Sequence, residues 1–250
     1  MSLKVHMNIA LNRILTATTI EGVWEVLLLK LQSLGFQNAL YGFTRFHTES
    51  GFGDTTDHLV LTNLGPDYVK GYFYDGRYKH GPLVTWAAQN AGVCSWAYVD
   101  EVYDTLDDKA RETVEFNRSF GVTNGYTIGF NNATTRSKGA IGLSMSPFVG
   151  TQEQADTIWN KYGQEIRMLC EISHLKIISL PFDLRRLTTR QREVLEWVGD
   201  GKTSADVAQI MGLTTATVEK HLKLARDALD VETTAQAILK ASLLNQFYRL

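Results

Sequence analysis

Residues 187–241 read "LTTRQREVLEWVGDGKTSADVAQIMGLTTATVEKHLKLARDALDVETTAQAILKA". Thr188 followed three residues later by Gln191 is a capping box, in which each side chain satisfies a free amide of the other at a helix start. The helix it opens runs through Val194, Leu195, Trp197 and Val198 to Gly199. Thr203 caps a second, short helix, SADVAQIM, and Gly212 stands just past its end, where glycine is favoured. Leu213-Thr214-Thr215 makes a turn, and a third helix is expected from about Ala216 to Leu229. Thr233 and Gln236 form another capping box, opening a fourth helix that should reach about Phe247. Two short helices around a glycine-containing turn read as helix-turn-helix, with the third helix as the one that enters the major groove. Val218, Leu222, Ala225 and Leu229 recur at spacings of 4, 3 and 4, one inward stripe. Thr215, Thr217, Glu219, Lys220, Lys223 and Arg226 then face outward as candidate DNA contacts, because such side chains reach phosphates and base edges. The bland alternative is a plain four-helix module with a solvated, charged face.

Charge supports the first reading weakly. Residues 184–250 hold 10 Lys+Arg and 8 Asp+Glu, a balance of +2, whereas residues 1–183 hold 15 and 19, a balance of −4. A basic tail on an acidic body suits contact with nucleic acid.

Residues 1–176 mix helical and strand periodicities. Val23 to Leu34 is apolar enough for a buried helix, Ala39 to Phe46 reads as a strand, and His58 to Thr62 as its partner. Pro66 to Tyr78 reads as one helix with aromatics on two faces, and Pro82 suits the first turn of another. Asp107 to Phe120 is an amphipathic helix, Val122 to Asn131 and Gly139 to Ser146 are two strands, and Thr151 to Lys176 is a long helix. This order predicts an α+β N-terminal domain, an antiparallel sheet between helical layers, followed by an all-α four-helix C-terminal domain. Such a sheet and its helices often enclose a small molecule. Pro181 bars the long helix from continuing, so the expected division is 1–176, a linker at 177–186, and 187–250.

Several function classes fall away. No run of about 18 apolar residues occurs, so no membrane span is expected. The opening MSLKVHMNIALNRIL is interrupted by Asn8, Asn12 and Arg13 and reads as an amphipathic helix, not a secretory signal. Cys94 and Cys170 lack metal-ligand spacing and read as reduced, buried thiols in a cytoplasmic protein, with no metal or cofactor implied. G-x-S-x-G, H-E-x-x-H and a post-strand G-x-G-x-x-G are all missing, so no enzyme is expected. Gly201-Lys202-Thr203 is not a phosphate-binding loop, because Glu196 stands where that motif needs glycine.

The C-terminal stretch resembles the DNA-binding domain of LuxR-type transcription factors. Its matches include Leu187, Thr188, Arg190, Glu193, Leu195, Trp197, Gly201, Lys202, Thr203, Ala208, Thr217, Val218, His221 and Leu222, with Gln191 where the family usually has Glu. The resemblance implies binding to a double-stranded operator, with Lys202 on a phosphate, and a homodimer is expected because two helix-turn-helix units reading paired half-sites gain specificity. Residues 20–175 resemble, more loosely, the autoinducer-binding domain of the quorum-sensing branch. There an acyl-homoserine lactone lies between the sheet and a helical layer, and an Asp before a Pro accepts its amide proton. By position, Tyr68 falls on the family's Trp, Tyr72 on its Tyr, Pro82 on its Pro, Trp96 on its distal Trp and Gly121 on its Gly. Gly81 falls on the aspartate. Tyr68, Tyr72, Gly81, Trp86 and Trp96 are therefore the candidate ligand-binding residues, although aromatics at such spacings can also be plain core. Three readings stay open: another small signal, a lactone held by rearranged polar groups, or no required ligand.

Overall fold

A computed structural model describes residues 3–47, 55–131, 134, 136–181 and 187–247. The chain divides into two compact units, Met1–Ile178 and Ser179–Leu250.

In the first unit α1 (Leu3–Thr16) buries Met7, Ala10 and Ile14, spaced 3 and 4, and leaves Ile9 and Leu15 exposed. Thr19 caps α2 (Ile20–Leu34), which buries Val23, Leu27 and Leu31 and ends at Gly35 in the left-handed conformation, φ 117°. A side chain at Gly35 would be strained there whatever the space. Five strands form one antiparallel sheet: β1 (Asn38–Thr44), β2 (Leu59–Thr62), β3 (Gly92–Ser95), β4 (Gly125–Gly129) and β5 (Lys138–Ser144), in spatial order β2-β1-β5-β4-β3. The two faces of the sheet differ. Ala39, Tyr41, Phe43, Ile141 and Leu143 are buried, with Tyr41 and Phe43 against His174 of the long helix α7 (Gln152–Ser179), while Leu40, Gly42, Ala140 and Gly142 alternate with them and are only partly covered. Residues of α3 (Pro66–Val69), α4 (Pro82–Gln89) and α6 (Asp108–Ser119) stand over that second face, and α5 (Ala97–Val102) follows β3 in the chain. The sheet thus lies between helical layers, as its order of elements predicted.

Three expectations for the first unit are corrected. Pro66–Tyr78 is not one helix. After α3 the chain makes a π turn, Lys70–Tyr74, closed by Asp75 N–H donating to the Lys70 carbonyl at 3.0 Å. Gly76 then turns left-handed at φ 78° and a 3-10 turn follows, Arg77–His80. The strand at Val122–Asn131 shortens to β4, and β3 is a strand the sequence did not announce. The helix α7 continues to Ser179, so the first positions of the expected linker are helical, while residues 182–186 lie outside the described ones. No helix among the described residues is long and apolar enough to cross a membrane.

Between the sheet and α7 the packing is aromatic. Tyr126 stacks on Trp159 at 4.2 Å between ring centres, and its hydroxyl donates to Asp156 Oδ1 at 2.6 Å. His174, 1% exposed, stacks on Phe130 at 4.1 Å and shares a 3.0 Å hydrogen bond with the Tyr41 hydroxyl through Nδ1. Burial, helped by the nearby Arg45, pulls its pKa down from 6.5 to about 4. Between those values the unfolded chain binds a proton that the folded chain refuses. Stability is therefore intact above pH 6.5 and falls as pH drops toward 4, by about 3 kcal/mol from this group. Urea titrations of wild type and His174→Phe between pH 7 and pH 4 should show a shallower loss in the variant. Parallel curves would mean that other groups set the acid sensitivity.

The second unit holds α8 (Thr189–Gly199), α9 (Ser204–Met211), α10 (Thr215–Leu229) and α11 (Thr234–Leu243). Thr188 with Gln191, Thr203 with Asp206, and Thr233 with Gln236 all form complete capping boxes. Gly212 ends α9 left-handed at φ 65°. Val218, Leu222, Ala225 and Leu229 are buried as one stripe. The last helix stops at Leu243, short of the expected Phe247, and Asn245 turns left-handed after it.

Candidate functional site: a cavity on the sheet and a helix-turn-helix face

A cavity of about 160 Å³ lies between the partly covered sheet face and the helices above it. Small residues make room for it. Gly42 pairs with Ala140 and Leu40 with Gly142 across β1 and β5, so the floor carries few side-chain atoms. Leu83, Val84 and Ala87 of α4 close the top with Val122.

Tyr68 and Tyr72 both line it, buried and stacked on one another at 5.1 Å. The π turn separates their face from the next residues, since Tyr74 is 76% exposed and Tyr72 only 6%. The Tyr68 hydroxyl donates to Asn117 Oδ1 of α6 at 3.0 Å. The Tyr72 hydroxyl makes no hydrogen bond to a described residue, and burial pushes its pKa up, so it stays a neutral donor. Trp96, directly before α5, donates its indole N–H to Thr127 Oγ1 at 2.9 Å. Its ring covers Gly142, where a Cβ would come within 3.3 Å of it.

Gly81 has an ordinary extended backbone, φ −65° and ψ 125°, so glycine is not needed there for conformation. Its consequence is spatial. A Cβ at this position would stand 3.0 Å from the Tyr72 hydroxyl oxygen, which therefore sits against the place any side chain at 81 would take. Gly81 borders a second cavity, of about 200 Å³, whose wall with the first includes Tyr72, Trp96 and Asn117. The structure thus brings Tyr68, Tyr72 and Trp96 around the first cavity and puts Gly81 behind Tyr72. Trp86, half-buried on α4, lines neither cavity. Among the described residues no Asp or Glu lines the first cavity. Asn117, Thr127, His58 and Lys138 line it and were not singled out by the sequence. For Lys138 a signal existed in the alternation of β5, Lys138-Gly139-Ala140-Ile141-Gly142.

On the helix-turn-helix, Lys202, Thr215, Lys220 and Lys223 are exposed. Lys220 and Lys223, three apart, share one face of α10. The other three candidates are tied to the scaffold. Glu219 accepts a 2.5 Å hydrogen bond from the Ser204 hydroxyl, joining α10 to the start of α9. Arg226 donates to Thr234 Oγ1 at 3.0 Å, and Thr217 shares a 2.9 Å hydrogen bond with the capping Thr214. The exposed lysines and Thr215 are the groups free to meet an anionic backbone. Cys94 and Cys170 are both buried, and burial raises the Cys94 pKa to about 11, so neither is a ready thiolate.

Comparison with known proteins gives two family matches along the chain. Residues 19–177 match the family described as "Autoinducer binding domain", and residues 185–241 the one described as "Bacterial regulatory proteins, luxR family". The transcriptional activator protein AnoR of Acinetobacter nosocomialis is 26% identical over 89% of this chain and 90% of its own length. The transcriptional activator protein LuxR of Aliivibrio fischeri is 23% identical over 75% of this chain and 74% of its own. Among solved structures, Escherichia coli SdiA matches with a TM-score of 0.56 at 19% identity, covering 99% of this chain and 100% of that one. Another SdiA structure, in complex with octanoyl-rac-glycerol, matches with a TM-score of 0.51 over 100% of this chain and 99% of that one.

Proposed function

Because this chain belongs to the LuxR family of bacterial transcriptional regulators that carry an autoinducer-binding domain, we propose that it senses a small signal other than a standard acyl-homoserine lactone and answers through its helix-turn-helix on DNA. One observation carries the choice of signal: no carboxylate among the described residues lines the cavity, which fits the resemblance that sets Gly81 at the family's amide acceptor. A ligand amide N–H buried there without an acceptor loses about 1–3 kcal/mol, roughly 10-fold to 100-fold in affinity. The Tyr72 hydroxyl and the apolar floor instead suit a ligand that offers an acceptor oxygen and apolar surface. Octanoyl-rac-glycerol, the molecule in the SdiA complex, has no amide N–H either.

A second reading keeps a lactone by giving its amide to Asn117 Oδ1, which lies on the cavity wall but already accepts from Tyr68. Regulation requires a ligand that distinguishes two states of the protein. The regulator works as a cytoplasmic homodimer, whose two helix-turn-helix units read paired half-sites. Exposed Met168 and Leu175 on α7 and Leu239 on α11 are its candidate contacts.

Thermal unfolding with a panel of acyl-homoserine lactones and of aromatic and pyrone-like compounds tests this, since a ligand bound to the native state raises the midpoint. The expected result is a rise with compounds that lack the amide and none with the lactones. A lactone-only rise would replace the first reading by the second. No rise at all, with DNA bound by the ligand-free protein, would mean that no ligand is required.

A further inference from the structure

The far end of the same cavity carries a row of polar side chains. On β5, Gly139 faces α7, for a Cβ there would lie 3.0 Å from His174 and from Phe43. Lys138 therefore faces the opposite way, as do Ala140 and Gly142, and all three line the cavity. Lys138 pairs with Thr44 of β1. His58 directly precedes Leu59, the partner of Phe43, and so falls beside Thr44. His58, Thr44 and Lys138 thus cross three strands in one line, and each lines the cavity. Lys138 is partly buried and makes no hydrogen bond or ion pair with a described residue. It lies four residues along the strand from Gly142, the glycine under Trp96, or about 13 Å.

Among the described residues no carboxylate lines the cavity, so the counter-charge for this ammonium is left for the occupant to supply. Resting on the ligand-sensing reading above, we infer that the signal is an amphipathic acid. Its carboxylate, or a comparably acidic oxygen, meets Lys138 at the end remote from Trp96. Its apolar body lies over Gly42, Ala140 and Gly142. Thr44 and His58 flank the charged end, and the interaction is a charge-assisted hydrogen bond, stronger than a neutral one.

Calorimetric titration of the full chain with decanoate and with decanol, at pH 7.5, tests the assignment. Wild type should bind decanoate about ten-fold tighter than decanol. Lys138→Met should bind both alike, with decanol affinity kept, and Lys138→Arg should keep the preference. Retained decanol binding also shows that the methionine variant is folded. A preference for decanoate that survives in Lys138→Met overturns the role of Lys138. Equal binding of the two by wild type overturns the acidic end and leaves the cavity a ligand site. Binding of neither, while a lactone or aromatic compound binds, overturns the acid alone. Binding of nothing overturns the ligand-sensing reading with it.

Discussion

Replacing Lys220 and Lys223 together by alanine should weaken binding to a random-sequence DNA duplex about 30-fold at 0.15 M salt. Each lysine that neutralises a phosphate releases counterions and adds about 0.9 to the slope of log K against log salt. Removing two such lysines should lower the slope by about 1.8, which at 0.15 M corresponds to that factor. Both residues are exposed on α10, outside the buried stripe of Val218, Leu222, Ala225 and Leu229, so the fold should survive the change. Random duplex is the right probe because non-specific affinity comes from the phosphate backbone alone. Affinities measured between 50 and 300 mM salt decide the matter. A double variant with the wild-type slope would mean that these lysines point away from the phosphates and that another face of the helix-turn-helix meets DNA.

The helices of the second unit were legible because the interactions that build them are local. Thr188 and Gln191, or Thr233 and Gln236, meet within four residues, so their pairing can be read along the chain. The stripe on α10 likewise follows from helical spacing alone. What spacing could not show was that Glu219 would be taken by Ser204, fifteen residues earlier, and Arg226 by Thr234. Those partners depend on how helices cross.

The first unit was legible in outline and not in its details, for the same reason. Strand β3 is four residues, Gly92–Ser95, whose sequence carries little strand character, and it exists because Val93 and Cys94 find Ile128 and Thr127 of β4 opposite them. Pro66 to Tyr78 has the aromatic spacing of a helix, yet Gly76 breaks it left-handed and the π turn inserts an extra residue before it. Periodicity of two places Lys138 on one face of β5 with Ala140 and Gly142, but it does not say which face borders the cavity. Only the sheet packed on α7 decides that. Gly81 shows the limit most sharply. The resemblance sets Gly81 at a family carboxylate, whereas only the structure reveals that the Tyr72 hydroxyl sits against the space a side chain there would take.

Gly81→Asp should raise affinity for an acyl-homoserine lactone about 10-fold to 100-fold, the cost of an amide N–H left without an acceptor. The backbone at 81 accepts any residue, so no strain opposes the change. The new Cβ would stand 3.0 Å from the Tyr72 hydroxyl, which must give by a few tenths of an ångström. The phenol then has a carboxylate to donate to, and that hydrogen bond lowers the penalty of placing a charge there. One competing fate exists. Gly81 is the N-cap of α4 and no side chain caps that helix, so the new carboxylate can turn instead toward the free amide of Val84. That conformation raises stability by a few tenths of a kcal/mol without touching the ligand. The two fates separate in one experiment. Thermal midpoints of wild type and Gly81→Asp, each with and without a lactone, give the apo gain and the ligand gain side by side. A ligand gain beyond the apo gain means that the carboxylate reaches the amide, and that Gly81 is what turns this regulator away from the usual signal. An apo gain alone means that the cap wins and that the pocket's preference is set elsewhere along the cavity. A lactone response equal in both proteins would show that the wild type already satisfies the amide, with Asn117 as the acceptor to test next.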